Sequence, residues 1–278
     1  MNDCASVQKG FKLGFTALSD LSEAEFRQRL GATVLENPDL PVNQTRNLGD
    51  SDCYPPSDYS PPSSFDFRSY GVVSPVKNQG PCGSCWTFSA AAAIESAYLI
   101  RLKQSLDLSE QQLLDCAYWQ GMGGCNGGTS FQAFQYVMKN QITNESNDPY
   151  RGYPFTCRYN FPPAASIRKF CVRGQNYYGP PAIAEQLTDD AIISALSYYG
   201  PIGVLVNADR LQNYRSGIVN DPFCSTQINH AVLLVGFTET SFIIKNSWGS
   251  DWGDNGFFQI ARGQNMCGIN FEINFPLL

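Results

Sequence analysis

The sequence predicts an α+β fold, with helices first and strands later. Three features carry that reading: the alanine-rich run CWTFSAAAAIESAYLIRL, the capped segment SEQQLLDC that follows it, and a last third broken into VLLVGF, FIIKN and GFFQI. With 278 residues, 43% of them hydrophobic, the chain can bury one large or two small cores.

The first element is LSEAEFRQRL, in which Leu21, Phe26 and Leu30 share one face and Ser19 or Asp20 is expected as N-cap. From Glu36 to Ser64 the composition shifts to Pro, Asn, Ser and Asp, ending in CYPPSDYSPPSS. Proline removes backbone donors and favours extended chain, so this stretch reads as a linker of the kind proteases cut. In the alanine-rich run the small side chains suit a helix packed on every side. Ser109 with Gln112 three positions on is a capping-box pattern opening EQQLLDC. Phe131 to Val137 and AIISALSYYG are expected as further helices. The late runs are short, branched and aromatic, and polar or glycine turns separate them as in strands.

A net charge of -6, from 25 acidic and 19 basic residues with no lysine or arginine run, argues against a nucleic-acid partner. No apolar stretch approaches the roughly 20 residues of a membrane-spanning helix, so no membrane is expected. Ten cysteines point to an oxidising compartment. The glycosylation triplets at Asn43 and Asn144 point weakly the same way. The start, MNDCASVQKG, lacks the apolar core of a signal peptide.

The most informative stretch is KNQGPCGSCWTFS, Lys77 to Ser89. A turn rich in glycine and proline runs into the first turn of the alanine-rich helix, placing Cys85 among unpaired N–H groups at the positive end of the helix dipole. A thiolate is stabilised there. Reading Cys82 and Cys85 as half of a zinc site or as a redox pair fares worse, because the chain has one histidine and no second CxxC. No metal is expected.

CGSCW preceded by NQG resembles the active-site segment of the papain and cathepsin family of cysteine proteases. The resemblance extends to INHAVLLVGF, with the sole histidine, His230, and to KNSWGSDWGDNGFF, with Asn246. It implies a cysteine endopeptidase without cofactor: Cys85 as nucleophile, His230 as base, Asn246 as the orienter of the ring, and Gln79 with the Cys85 N–H as oxyanion hole. Trp248 would shield the Asn246–His230 hydrogen bond. A thiolate–imidazolium pair is expected at acidic to neutral pH. The implied architecture has a helical left half and an antiparallel, β-barrel-like right half with the cleft between them.

The resemblance also implies that Gly127 and Gly128 of CNGG hold substrate backbone, and that bridges join Cys82 to Cys125, Cys116 to Cys157, and Cys224 to Cys267. Cys4, Cys53 and Cys171 are left without a partner, an extra bridge and free thiols both being open. The pocket for the second residue before the cut would be walled by Leu205, Ile228, Ala231 and Thr129, with Ser130 at its rim and Glu272 as floor. That floor would accept arginine beside aliphatic and aromatic residues, unless Glu272 swings out to solvent.

FKLGFTALSDLSEAEFRQRL resembles the second half of the family's inhibitory propeptide, which crosses the cleft in the reverse direction to substrate. Asp20 matches that pattern, while Thr16 and Leu18 stand where asparagine and phenylalanine are more usual. Residues 1–60 are therefore expected to be a partial prosegment and linker, and 61–278 the peptidase domain, with a mature start near Pro61 to Ser63. A single histidine leaves none for the occluding loop of dipeptide-removing relatives, which favours endopeptidase action. Expected partners of this monomer are protein and peptide substrates, its own prosegment and cystatin-type inhibitors. The expected location is lysosomal, vacuolar or secreted. The competing reading is a catalytically silent binding homologue, a class that usually lacks the nucleophile.

Overall fold

The computed structural model describes residues 10–32, 51–118, 122–174 and 187–278. Cys4, the Asn43 acceptor and the linker as far as Asp50 lie outside the described residues. The helices are α1 (Glu23–Arg27), α2 (Cys85–Leu102), α3 (Glu110–Cys116), α4 (Ser130–Asn140) and α5 (Asp189–Tyr199). The strands are β1 (Phe11–Leu13), β2 (Phe65–Asp66), β3 (Lys169–Gly174), β4 (Ile202–Val206), β5 (Tyr214–Val219), β6 (His230–Phe237), β7 (Ser241–Lys245), β8 (Phe257–Ala261) and β9 (Glu272–Leu277).

Local chemistry sets most of the helix ends. α2 is buried from Cys85 to Tyr98, as its alanines predict, and stops at Lys103 in the left-handed region. At α3, Ser109 Oγ accepts the Gln112 N–H at 2.9 Å, but the reciprocal half of the box is missing. Gln112 spends its amide elsewhere, donating to Tyr136 Oη at 3.1 Å and accepting the Thr143 N–H at 2.7 Å, which ties α3 to α4. α1 differs from expectation: its N-cap is Ser22, in a full capping box with Glu25, and not Ser19 or Asp20. Ser19 Oγ is engaged by the Thr16 N–H at 2.7 Å and by Asn213 at 2.7 Å, so it is not available as a cap.

The strands run in the order β1-β5-β8-β7-β6-β4-β9-β3, with β2 paired to β6. This corrects the barrel-like expectation. The sheet is open, β1 and β3 standing at opposite ends, and β5 pairs with β8 in parallel. α2 packs across β6, β9 and β4. One core gathers on the sheet around Trp252, Phe242, Ile260 and Phe275, and a second gathers on α2 with Ile94, Leu113, Phe134 and Phe170. Between the halves, behind the cleft, Lys77 Nζ lies 2.9 Å from Glu110, 2.7 Å from Asp107 and 3.7 Å from Glu95. Four disulfides close the framework: Cys53–Cys171, Cys82–Cys125, Cys116–Cys157 and Cys224–Cys267.

Candidate active site

Cys85 opens α2, and the residue ahead of it does not cap the helix. Ser84 Oγ instead meets Tyr150 Oη at 2.6 Å, leaving the first-turn amides of Cys85 and Trp86 to face the sulfur. From the other half, β6 begins at His230, and the next N–H, that of Ala231, donates to Cys85 Sγ at 3.4 Å. One strand therefore supplies both the imidazole and a donor to the thiol.

His230 Nε2 lies 2.8 Å from Asn246 Oδ1. The same oxygen accepts the Ser247 N–H at 2.8 Å, so Asn246 acts as acceptor and Nε2 carries the proton. Among the described residues, buried Nδ1 has no hydrogen-bond partner, which leaves it open to take a proton. Trp248 stacks on the imidazole, with ring centroids 4.7 Å apart, and is itself 1% exposed.

Gln79 is fully buried. Its Oε1 accepts from Ser247 Oγ at 2.6 Å, and its backbone oxygen accepts from Tyr150 Oη at 2.8 Å. Sequence reasoning missed Ser247 and Tyr150; the signals were their places in KNSWG and in the DPY segment. With the carbonyl end held, Nε2 points into the cleft and donates to Cys82 O and to Arg29 O, both at 2.8 Å.

Arg29 belongs to the N-terminal segment, and that segment fills the cleft. The Gly31 N–H lies on the Cys85 side and lowers the thiol's pKa, its carbonyl accepts from the Gly128 N–H at 2.8 Å, and the Ala32 N–H donates to Asn229 O at 3.0 Å. Ala32 bridges Gly128 in parallel. Gly128 must be glycine here, since a Cβ would stand 2.7 Å from the Trp86 ring.

Burial under this segment reverses the expected charge state. It pushes the Cys85 thiol up to about 11, even though the N–H groups of Ala231, Gly31 and Trp86 pull the other way. It pulls His230 down to about 4, against the Asn246 hydrogen bond. The covered site holds a neutral thiol and a neutral imidazole rather than the ion pair expected from sequence.

Leu205 and Ala231 are register partners on β4 and β6, both buried, with half-buried Ile228 close by in sequence. Thr129 and Ser130, both buried, start α4. The β4–β9 pairing of Gly203 with Asn274 and Val204 with Ile273 carries Glu272 to the level of Leu205. Glu272 is 5% exposed and accepts from Asn274 Nδ2 at 3.2 Å; burial raises its carboxyl to about 7.

A cysteine at a helix N-terminus, hydrogen-bonded by the strand that opens with a buried histidine, is the arrangement of a thiol hydrolase. The pattern of papain family cysteine proteases matches residues 61–277. Pro-cathepsin H of Mus musculus is 39% identical over 279 residues, covering 96% of this chain and 78% of that protein. A digestive procathepsin L2 proteinase from Tenebrio molitor larval midgut superposes with a TM-score of 0.82 at 33% identity, over 97% of this chain and 84% of that one. A Carica candamarcensis cysteine protease in complex with E-64 gives a TM-score of 0.70 at 38% identity, over 78% of this chain and 98% of that one. The chain belongs to the papain family and is a cysteine-type endopeptidase.

Proposed function

We propose that the chain is a latent zymogen in which Cys85 is the nucleophile, His230 the acid–base, Asn246 the orienter and Gln79 an oxyanion donor. The observation that carries this reading is the occupation of the Gln79 amide by Arg29 O, 2.8 Å away, while the Gly31 N–H sits on the Cys85 sulfur. The segment thus takes a donor suited to the reacting carbonyl of a substrate, yet presents to the thiol an N–H and not a carbonyl carbon. It runs parallel to the Gly128 strip, so a substrate paired antiparallel there would travel the other way.

Once the segment leaves, water and substrate enter. The first-turn amides of α2 then favour the thiolate, and His230 Nδ1 takes its proton. Cys85 attacks the scissile carbonyl, whose oxygen moves onto Gln79 Nε2 and the Cys85 N–H. His230 protonates the leaving amine and then activates the water that frees the acyl-enzyme. Gly127 and Gly128 hold substrate backbone. Leu205, Ile228, Ala231, Thr129 and Glu272 form the pocket for the second residue before the cut, where an ionised Glu272 pairs with arginine. Four disulfides fit a secreted, lysosomal or vacuolar location.

Incubation at acidic pH should shorten the chain and bring activity. An epoxysuccinyl inhibitor, read by mass spectrometry, should then attach at Cys85. Attachment elsewhere, or none after the N-terminal segment is gone, rules the assignment out.

A further inference from the structure

We propose that the Cys53–Cys171 bridge makes residues 51–60 a lasting part of the enzyme and confines the activating cut to the N-terminal side of Cys53. The proposal rests on the zymogen reading above and names where its processing must fall.

Cys171 lies in β3 of the peptidase body and Cys53 lies ahead of it, in the turn Ser51–Cys53. Hydrolysis anywhere between Cys53 and Ser64 breaks one peptide bond and adds one water, leaving the disulfide oxidised. The cleft-filling residues would then still be joined to the enzyme through their own chain and the bridge. The mature start near Pro61 to Ser63 implied by SSFDFR would therefore yield a two-chain molecule with its inhibitor attached. A tether of about 20 residues holds such a segment at an effective concentration on the order of millimolar, so it would rebind after each departure.

The place of attachment points the same way. β3 closes one end of the sheet, whereas β1, the strand contributed by the inhibitory segment, closes the other. The 51–60 stretch is built into its own end. The Asp52 carbonyl accepts from Tyr199 Oη at 2.7 Å, and Asp52 Oδ2 lies 3.2 Å from Lys169 Nζ. The Arg173 guanidinium sits 4.0 Å over the Tyr54 ring, and Tyr59 packs edge-on against Tyr198 at 5.2 Å. These partners belong to β3 and α5. Both bridge cysteines are fully buried, so small thiols do not reach the bond while this stretch stays docked. Stripping residues 51–60 away would uncover Cys171 and the Tyr198–Tyr199 face, which gives the folded enzyme reason to keep them.

The test uses the full chain with a recognition site for a sequence-specific protease inserted either upstream of Cys53 or between Ser57 and Pro62. Each version is made with the native bridge and as Cys53→Ser/Cys171→Ser, and labelling of Cys85 by an epoxysuccinyl inhibitor is timed without reductant. The upstream cut should open the site in both backgrounds. With the native bridge, the downstream cut should leave labelling at least about tenfold slower, and about 100-fold dilution should not speed it; without the bridge, the same dilution should release it. Non-reducing mass spectrometry of the native chain activated at acidic pH should show residues 51–60 still attached. Fast labelling of the downstream-cut native chain, or an active product that lacks residues 51–60, overturns the proposal. Should the double variant fail to fold, the native chain alone still decides it through that mass. Absence of labelling after the upstream cut would instead count against the peptidase reading, because the mass reports the attachment independently of activity.

Discussion

Gly31 sits where the proposed inhibitory segment passes tightly against the peptidase backbone. A Cβ on Gly31 would lie 1.8 Å from Gly83 O, and the Gly83 carbonyl is fixed by the turn leading into α2. Overpacking of that kind costs about 1–3 kcal/mol, so a Gly31→Ala chain should lose latency and label at Cys85 about tenfold faster than the parent. An unchanged labelling rate would mean that the contact contributes nothing to inhibition. At the floor of the proposed pocket, Glu272 is both buried and tied to Asn274, which weighs against a carboxylate swung out to solvent. A hydrogen bond to a charged group is worth about 1.5–3 kcal/mol, so Glu272→Ala should lower the arginine-to-leucine ratio of kcat/KM at that subsite by about tenfold or more. Equal ratios in parent and variant would remove Glu272 from specificity. Burial keeps its pKa near 7, so the arginine preference should fade as the pH drops below that value.

At the scale of elements, α1 is the part of the proposed inhibitory segment that packs against Trp248. Its capping box at Ser22 and Glu25 starts the helix, and Phe26, 2% exposed, meets Trp248 edge-on at 5.2 Å. Trp248 also stacks on His230, so α1 is clamped to the ring that covers the proposed base. Removing a buried phenylalanine side chain costs about 3–5 kcal/mol, and here much of that cost falls on the docked state alone. A Phe26→Ala chain should therefore bind its segment far more weakly, shown as faster processing at neutral pH with the melting temperature of the processed enzyme unaltered. If processing at neutral pH stays as slow as in the parent, α1 is not the grip. The same helix shows how far local signals reach. The periodicity of Phe26 and Leu30 was readable, whereas the competition that takes Ser19 out of capping was not, because its partner Asn213 lies 194 residues away.

For the molecule as a whole, the proposed latency is expected to depend on acidity through His230. Burial lowers its pKa from 6.5 to about 4, so the uncovered ring binds a proton that the covered ring refuses. With Cys85 replaced by alanine, so that the ring takes its proton from solvent and not from the thiol, the ring's contribution to covered-state stability is fully present above about pH 6.5 and is lost as pH falls toward about 4. In the native chain Cys85, shifted upward, supports the covered state fully below about pH 9 and loses that contribution as pH rises through about 11, so it adds no slope in acid. Glu272 has the opposite sign: its contribution is fully present below about 4.5 and lost as pH rises through about 7, so Glu272→Gln separates the two effects. In a Cys85→Ala/Glu272→Gln chain, hydrogen exchange over residues 26–32, corrected for intrinsic rates, should report opening roughly 20-fold more populated at pH 5 than at pH 7. A flat profile would detach His230 from latency.

Motif and period determined the helix opened by Cys85, the capped α3 and the late strands β6, β7 and β8, while resemblance carried over the histidine and asparagine segments and three bridges. The first group was legible because each member depends on neighbours in sequence: a turn running into a helix, a cap, an alternation of branched residues. Tertiary structure decided the rest. The fourth bridge joins cysteines 118 residues apart, and nothing local marks them as partners. β1 to β5 and β9 were unread as strands because each is held by a distant neighbour more than by its own pattern, and the sheet proved open because β1 and β3 end up on opposite edges. Most consequentially, the charge state of Cys85 and His230 belongs to neither residue. The helix terminus favours a thiolate, but covering by Arg29 to Ala32 removes the water that would solvate it, and in that covered cleft desolvation outweighs the helix.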